Sequence, residues 1–191
     1  MSPLDASVVN AREGGPSFPL RHRLSRLVWT LVWSALARWT PTPLFGWRRF
    51  ILRLFGAQIA STAKVYPGVN VWYPPNLTMH EHACLAPGVN CYCMDRIELG
   101  PYSLVSQGAY LCGGTHDVDD PNFQLQTKPI YLGPNSWVAA EAFVGPGVNV
   151  GEGAVLGARS VAFKDLQPFT IYVGNPAKAL RTRKIREHQN A

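Results

Sequence analysis

The chain has 191 residues, of which 47% are apolar and 16% charged, with a net charge of +6. This composition excludes a disordered polar chain and fits one ordered domain with a sizeable core. Residues 1–56 carry eight basic and two acidic side chains, residues 57–177 five and nine, and the basic tail at residues 178–191 five and one. Basic ends around an acidic middle suit anionic partners such as phospholipid, nucleic acid or cofactor phosphates.

The four cysteines are expected to be reduced thiols of a cytoplasmic protein. The first twenty residues lack the continuous apolar run of a secretory signal peptide, so an oxidising compartment is not indicated. No second Cys-x-x-Cys or histidine pair with ligand spacing accompanies them, and we therefore expect no metal. The cysteines are Cys84, Cys91, Cys93 and Cys112.

The start of the chain divides into a flexible leader, expected over residues 1–19, and a helical cap over residues 20–56. Residues 20–40 place apolar side chains on one side of a helix, with a narrow polar stripe opposite. Pro41 and Pro43 predict the end of this helix. The apolar stripe consists of Leu24, Leu27, Val28, Leu31, Val32, Ala35, Leu36 and Trp39.

A second short helix is predicted at residues 44–55, with Gly56 at its end. The apolar run of the first helix is too short to span a bilayer. Two interpretations of this pair stay open. Either the stripe seals the open end of the following domain, or it lies on an anionic membrane at the inner face, for which tryptophan and arginine are suited.

From residue 59 onward, small or aliphatic apolar residues recur every six positions, with two slips of two residues and one longer interruption. Such a period over about a hundred residues predicts an all-β domain, a parallel β-helix over residues 57–177 with three six-residue units per coil. The recurring residue, here called the anchor, is expected to point inward, and the small residue after it to occupy a tight corner. The anchors are Ile59, Val65, Val71, Met79, Leu85, Cys91, Leu99, Val105, Leu111, Leu132, Val138, Val144, Val150 and Leu156.

The long interruption lies between Leu111 and Leu132 and is predicted as a loop over residues 113–128 that leaves the coil. It begins with His116 close to the coil. Acyl transfer to a hydroxyl or amine needs a base that accepts a proton near neutral pH, and histidine has this property. His116 is therefore the candidate base, whereas Cys112, beside an anchor, is interpreted as a packing residue.

Several segments form a recognisable pattern: Ser106–Cys112, then Thr115-His116-Asp117 and Asp120-Pro121, with Phe45–Phe50 near the start. Together with the repeats, they resemble the hexapeptide-repeat acyltransferases. The chain is similar to the branch of maltose, galactoside and nodulation-factor O-acetyltransferases, and specifically to the colanic acid biosynthesis acetyltransferases. The resemblance extends over roughly residues 20–185.

The resemblance implies a left-handed β-helix, a homotrimer with active sites in the clefts between subunits, and acetyl-CoA as acyl donor. We expect an O-acetyltransferase that acts by direct transfer, and the favoured acceptor is a sugar hydroxyl of an exopolysaccharide or lipid-linked glycan precursor. The sequence does not identify the acceptor, and an antibiotic or a lipid stays open. His116 matches the general base of the family. On the acceptor side, Asn90, Tyr92 and Asp95 are candidates for binding the sugar, and the sequence leaves the choice among them open.

Five residues match positions that contact acetyl-CoA in the family. Trp137 is expected at the acetyl end of the cleft, and the backbone N–H of Ala140 near the thioester. Ala158 matches a backbone contact to the pantetheine arm. In the closing Gly-x-Pro-Ala-basic pattern, Lys178, and beyond it Arg181, are expected to bind the CoA phosphates.

Other functions fit the sequence less well. A γ-type carbonic anhydrase shares the solenoid but needs three histidines per zinc, whereas Pro121 and Asn122 follow in this loop. A non-catalytic scaffold would not need both a loop histidine and a basic closing turn. No nucleic-acid partner is expected, because the repeats lack a basic surface interleaved with aromatic residues. Acetylation of an amino-sugar nitrogen instead of a hydroxyl stays open.

Overall fold

The helices come first in the chain. The computed structural model describes residues 3–185. Its α-helices are α1 (Ala6–Val9), α2 (Leu20–Leu36) and α3 (Phe45–Leu54), and 3₁₀ turns lie at Ala11–Glu13 and Pro74–Asn76. The longer two helices, α2 and α3, both lie directly before the repeating region.

The repeating region forms short β-strands that alternate with corners. In chain order they are β1 (Gln58–Ile59), β2 (Lys64–Val65), β3 (Asn70–Val71), β4 (Leu77–Met79), β5 (Cys84–Leu85), β6 (Asn90–Tyr92), β7 (Ile97–Leu99), β8 (Leu104–Val105), β9 (Tyr110–Cys112), β10 (Gly114–His116), β11 (Leu125–Thr127), β12 (Ile130–Leu132), β13 (Trp137–Val138), β14 (Phe143–Val144), β15 (Asn149–Val150), β16 (Val155–Leu156), β17 (Val161–Ala162), β18 (Thr170–Val173) and β19 (Lys178–Thr182).

The coil strands stack into three sheets, which form the faces of a prism. Face A holds β1, β4, β7, β12 and β15, and face C holds β3, β6, β9, β14 and β17. Face B holds β2, β5, β8, β13, β16, β18 and β19. Neighbours pair in parallel except β18 and β19, which are antiparallel. The prediction of a left-handed parallel β-helix is confirmed.

The strand register explains the two slips in the repeat. Ile59 pairs with Met79 and Met79 with Leu99, twenty residues apart, whereas Leu132 pairs with Val150, eighteen residues further on. The extra residues are therefore absorbed at the corner between faces C and A, and the ladder stays in register. As predicted, every anchor is buried.

Where a glycine follows an anchor, its cause differs from the tight corner that was expected. A Cβ atom on Gly133 would lie 2.7 Å from the backbone nitrogen of Glu152, and one on Gly151 would lie 2.7 Å from the carbonyl oxygen of Leu166. The next coil passes too close for a side chain there. Left-handed backbone occurs two residues later, with φ 56° at Asn135 and 62° at Gly153.

Helices α2 and α3 cover the open end of the first coil, where backbone carbonyl groups have no further strand to pair with. Five of these carbonyls accept a hydrogen bond from a side chain of the helical segment. Because tryptophan and arginine donate hydrogen bonds as well as pack, they close this edge of the sheet. The donors are Trp29 to Val71 (2.6 Å), Trp33 to Val69 (2.9 Å), Arg48 to Val65 (2.6 Å), Arg49 to Ala63 (2.9 Å) and Arg53 to Ile59 (2.8 Å).

The apolar stripe of α2 faces away from the β-helix. Leu24, Leu27 and Leu31 are 53%, 55% and 61% exposed, whereas Trp29 and Trp33 are buried. The interpretation that the stripe seals the first coil is therefore wrong, since the two indoles do so from the side between the stripe and the polar residues. Among residues 3–185, no helix has the length and apolarity needed to cross a bilayer.

Both ends of the described chain contact the β-helix domain. Residues 3–19, expected as a flexible leader, include α1 and touch the loop, since the side chain of Gln124 accepts from Ala6 N at 2.7 Å and donates to Leu4 O at 3.0 Å. At the other end, the basic tail begins as β19 on face B. Residues 186–191 of that tail lie outside the described residues.

Candidate active site

The loop that interrupts the repeat orients His116. Strands β10 and β11 form an antiparallel hairpin that pairs His116 with Leu125. The ring Nδ1 lies 2.8 Å from the carbonyl oxygen of Phe123, and the two rings stack with centroids 4.7 Å apart. Because a carbonyl oxygen only accepts, Nδ1 must donate, and the neutral ring then has no proton on Nε2. The loop therefore presents a nitrogen that can accept a proton.

His116 lines a cavity of about 340 Å³ between the loop, helix α2 and the first coils, here called the loop cavity. Tyr92 also lines it, and burial raises the pKa of its phenol, although nearby Arg26 opposes this effect. Asn90 and Asp95 lie outside this lining. Asn90 accepts from the Asn70 side chain at 3.3 Å, and Asp95 accepts from a neighbouring backbone N–H at 2.7 Å. Of the three acceptor-side candidates, only Tyr92 shares the loop cavity with His116.

A larger groove, of about 600 Å³, follows the corner between faces B and C and is here called the coil groove. It brings together Trp137, Ala140, Ala158 and Arg181, four of the five residues predicted on the donor side. They come from strands β13 and β19 and from the corners after β13 and β16. Because successive coils stack, residues far apart in sequence meet along one edge.

The indole of Trp137 is held by a hydrogen bond, since its Nε1 donates to the hydroxyl of Ser106 at 2.9 Å. Ser106 lies one coil earlier, directly after Val105, and the ladder pairs Val105 with Val138. In the sequence, Ser106 stands at the start of the motif Ser106–Cys112 and was not among the predicted site residues. The position of this hydroxyl, one coil before the tryptophan, could have indicated the contact.

Free backbone donors line the coil groove. Within residues 3–185, the N–H groups of Gln107, Ala140 and Ala158, each two residues after an anchor, have no hydrogen-bond acceptor. Pro67 and Pro87 occupy the same corner position in the two earlier coils and carry no N–H. The corner therefore offers hydrogen-bond donors only where the groove lies, a pattern suited to the amide carbonyls of an extended ligand.

The positive charges of the coil groove differ in part from those expected. Arg181, Arg183 and Lys184 line its mouth, and Arg183 is fixed by donating to two backbone carbonyls, those of Asn135 and Gly153, at 2.9 Å each. Lys178 lines a separate cavity of about 340 Å³ with Phe163 and Tyr172. Sequence reasoning missed Arg183 and Lys184 because they lie beyond the closing motif.

The loop cavity and the coil groove share no lining residue. The loop leaves the coil after β9 of face C, at the corner with face A, whereas the groove follows the corner between faces B and C. Within one chain the candidate base and the candidate donor site therefore lie at different edges of the prism.

Cys112 and His80 each have a local partner that fits a structural role. Burial raises the pKa of the Cys112 thiol, whose Sγ donates to the carbonyl of Gly114 at 3.2 Å, as fits a packing residue. His80 lies 2.9 Å from the carboxylate of Glu98. Within residues 3–185, no group of three or more histidine, cysteine, aspartate or glutamate side chains is placed to hold a metal ion.

Comparison with known proteins gives relatives of one kind, although no protein-family model matches the chain. The "putative colanic acid biosynthesis acetyltransferase WcaF" of Escherichia coli K12 is 40% identical over 156 residues, covering 82% of this chain and 86% of that protein. A maltose O-acetyltransferase from Clostridium difficile 630 has a TM-score of 0.76 at 22% identity, covering 87% of this chain and 90% of that one. A hexapeptide-repeat acetyltransferase of Vibrio cholerae, solved with acetyl-coenzyme A, has a TM-score of 0.72 at 19% identity, covering 87% and 91%.

Fold and relatives together define an acyltransferase enzyme of the hexapeptide-repeat class. Within that class, the chain belongs to the family of the WcaF acetyltransferases, because the identity of 40% extends over most of both chains. The resemblance stated from the sequence motifs is thereby confirmed. The two solved structures, at their lower identities, show the shared fold.

Proposed function

We propose that this enzyme transfers the acetyl group of acetyl-CoA to a sugar hydroxyl of an exopolysaccharide or lipid-linked glycan precursor. The observation that carries the proposal is the orientation of His116, whose Nδ1 donates to Phe123 and leaves Nε2 free to accept a proton. Two relatives support a sugar acceptor, since one is named for colanic acid biosynthesis and another for maltose O-acetylation.

In the proposed reaction, the sugar hydroxyl gives its proton to Nε2 of His116 while its oxygen attacks the thioester carbonyl carbon. The oxyanion that forms accepts a hydrogen bond from the backbone N–H of Ala140. When the carbon–sulfur bond breaks, protonated His116 returns the proton to the CoA thiolate. The products are an acetyl ester and free CoA, with no covalent bond to the enzyme.

Replacing the base tests this proposal. His116→Ala should lower turnover by about 10²–10⁴-fold, the usual contribution of a general base, while secondary structure stays unchanged because the side chain is exposed. His82→Ala, which removes another exposed histidine outside both cavities, should leave turnover unchanged. Thiol release from acetyl-CoA in the presence of a panel of sugars measures both. Near-normal turnover of His116→Ala would overturn the proposed mechanism.

A homotrimer with active sites between subunits would bring the two halves together. Because the loop cavity and the coil groove lie at different corners of one chain, a closed threefold ring can place the loop cavity of one subunit against the coil groove of the next. Each site would then take His116 from one subunit and the acetyl-CoA groove from its neighbour. The separation of the two cavities supports this arrangement.

The exposed stripe of α2 supports peripheral binding to an anionic membrane at the cytoplasmic face, where a lipid-linked acceptor would be presented. Residues 20–56 contain seven arginines and no acidic residue. Leu24 and Leu31 are more than half exposed, and Trp39, beside exposed Arg38, is 70% exposed. Apolar side chains next to uncompensated positive charge suit the surface of an anionic bilayer.

Vesicle flotation tests this contact. Binding to phosphatidylglycerol-containing vesicles should exceed binding to pure phosphatidylcholine and weaken with added salt. The double change Leu24→Ser and Leu31→Ser should abolish flotation, whereas Val118→Ser, which alters an exposed apolar residue on the loop, should not. If the double variant instead changes the subunit number in sedimentation, the stripe is a contact between subunits and the membrane proposal is wrong.

A further inference from the structure

Helix α2 contributes two arginines to the loop cavity. Arg23 and Arg26 line it together with Trp72, Tyr92 and His116. The indole hydrogen bonds that close the first coil also hold the helix in place, so the two arginines belong to a fixed element. The segment that caps the β-helix therefore also forms one wall of the cavity that holds the candidate base.

Arg26 belongs to the helical cap but forms none of the side-chain hydrogen bonds that close the first coil. Its guanidinium carbon lies 3.9 Å from the ring centre of Trp72, a cation–π contact. Its Nε is buried, and no atom of the described residues accepts a hydrogen bond from it. In contrast, Arg48, Arg49 and Arg53 each donate to a carbonyl of the first coil. The Arg26 side chain is only partly buried and lines the cavity, and no carboxylate of the described residues pairs with it. Its positive charge therefore stays available to a ligand in the cavity.

The charge of the loop cavity is not balanced locally. Its lining within the described residues includes Arg23 and Arg26 but no carboxylate. Phe18 and Trp72 form the apolar part of the lining, but both rings are almost fully buried, and Arg26 lies over the face of Trp72. Guanidinium groups bind carboxylates and phosphates through paired, charge-assisted hydrogen bonds. The cavity thus combines groups suited to binding an anion with the candidate base.

We propose that Arg26, assisted by Arg23, binds an anionic group of the acceptor, a carboxylate or a phosphate, so that a hydroxyl of the attached sugar reaches His116. This inference rests on the proposed function and narrows its substrate to negatively charged sugars. It separates the charges of the protein into two sets: Arg23 and Arg26 bind the acceptor, and the cations of the coil groove bind acetyl-CoA.

Acceptors that differ in charge test the inference kinetically. Methyl glucuronide supplies a carboxylate, glucose 1-phosphate a phosphate, and methyl glucoside no charge. Arg26→Gln should lower kcat/KM by about 10- to 100-fold for the charged acceptor that the enzyme prefers, as expected when charge-assisted hydrogen bonds are lost. The neutral acceptor and the KM for acetyl-CoA should be unaffected. Arg21→Gln, which removes an exposed charge of the same helix outside the cavity, should behave like the unaltered protein.

A binding measurement keeps the inference independent of turnover. Isothermal titration of His116→Ala with methyl glucuronide and glucose 1-phosphate should detect binding of at least one, and adding Arg26→Gln should weaken it about tenfold or more. Equal losses for charged and neutral acceptors, a raised KM for acetyl-CoA, or no binding of either anion would overturn the inference. An active His116→Ala enzyme that still binds these anions through Arg26 would instead overturn the role of His116 as base and leave the anion site standing.

Discussion

The coil groove and the loop cavity are built by different means. The coil groove arises from the repeat itself, because Trp137, Ala140 and Ala158 occupy fixed positions relative to anchors in stacked coils. The loop cavity arises from additions to the repeat, namely the loop and helix α2, which supply His116 and Arg26. Under the proposed function, the repeat itself forms the surface that binds acetyl-CoA, whereas the additions form the surface that meets the acceptor.

The largest expected effect tests whether the two sites act together across subunits. Trimers of His116→Ala chains alone, or of Trp137→Ala chains alone, should have little activity. Trimers that contain both kinds of chain should regain turnover. If each site takes one part from each of two neighbours, about a quarter of the sites in a random equal mixture have both parts intact. Activity of His116→Ala alone should lie about 10²–10⁴-fold below the unaltered level. In the mixture it should therefore rise to about a quarter of the unaltered level.

The mixing experiment needs equal amounts of the two chains, co-refolded and assayed for thiol release without selecting mixed trimers. Two different affinity tags then check assembly, because trimers purified through both tags should reach about a third of the unaltered activity, one intact site in each. Mixing each variant with itself is the control and should restore nothing. If mixed trimers stay as inactive as their parents while remaining assembled, the base and the groove act within one chain, and the separation of the two cavities has been misread.

A smaller effect is expected from the cations at the coil groove. Arg181→Gln and Lys184→Gln should each weaken CoA binding about tenfold, as a charge-assisted contact at an exposed site is lost, and should weaken dephospho-CoA binding less. Lys178→Gln is the matched control, since this residue lines another cavity. Titration calorimetry with both ligands measures the difference. A loss in Lys178→Gln as large as in Arg181→Gln would favour the assignment made from the closing motif.

The sequence predicted the features that follow from its six-residue period. It did not predict which side of helix α2 faces the β-helix. The six-residue period identified every anchor, and motif matching placed Trp137, Ala140, Ala158 and Arg181, which share the groove. The direction of α2 was not predictable, because its aliphatic stripe has the stronger helical pattern, yet Trp29 and Trp33 pack inward. Their advantage is the indole N–H, which bonds carbonyls that no hydrophobic pattern reveals.

On the acceptor side, the sequence named two residues that the fold brings into one cavity, His116 and Tyr92, and their roles stay predictions. Asn90 and Tyr92 share the outer face of β6, but Asn90 lies at the other end of that strand beside Asn70, and Asp95 lies beyond the strand, so neither lines the loop cavity. Arg26 was visible in the sequence only as one of many arginines. Its proposed role depends on its not bonding the first coil, as Arg48, Arg49 and Arg53 do. Which arginines bond the coil is decided by how the helices pack and cannot be read from the sequence.

The Trp137 indole offers a finer test of the coil groove. Ser106→Ala removes the hydroxyl that accepts a hydrogen bond from the indole N–H. The orientation of the indole seen in the fold should then be less stable by about 1 kcal/mol, and the KM for acetyl-CoA should rise about fivefold. Ser103→Ala is a suitable control, because the Ser103 hydroxyl is buried and has no partner within the described residues. Steady-state kinetics measure both variants. If Ser106→Ala leaves this KM unchanged, the hydrogen bond does not position the indole for binding.

The smallest effect concerns the wall of the loop cavity and its dependence on pH. His22 is buried against Phe18 and Tyr73, and its Nδ1 has no hydrogen-bond partner within the described residues. Burial, and then the nearby charge of Arg26, lower the pKa of His22 below its ordinary value. The folded state therefore favours neutral His22, and its stabilising effect is complete above a pH of about 6.5, where the unfolded chain is also neutral.

As the pH falls below that value, the unfolded chain binds a proton that the folded chain resists, and stability declines by at most about 1.4 kcal/mol per pH unit. His22→Phe keeps an aromatic ring in the packing and removes the titration, so its melting temperature should fall less between pH 7 and pH 5 than that of the unaltered protein. Thermal unfolding at these two pH values measures the difference, with His82→Ala as the control for an exposed histidine. Because His22 packs beneath the loop cavity and touches no part of the coil groove, CoA binding by the folded protein should keep its affinity over the same range. Parallel pH profiles for unaltered protein and His22→Phe would mean that His22 is protonated in the fold, and that the helix holds its wall of the loop cavity without depending on a neutral ring.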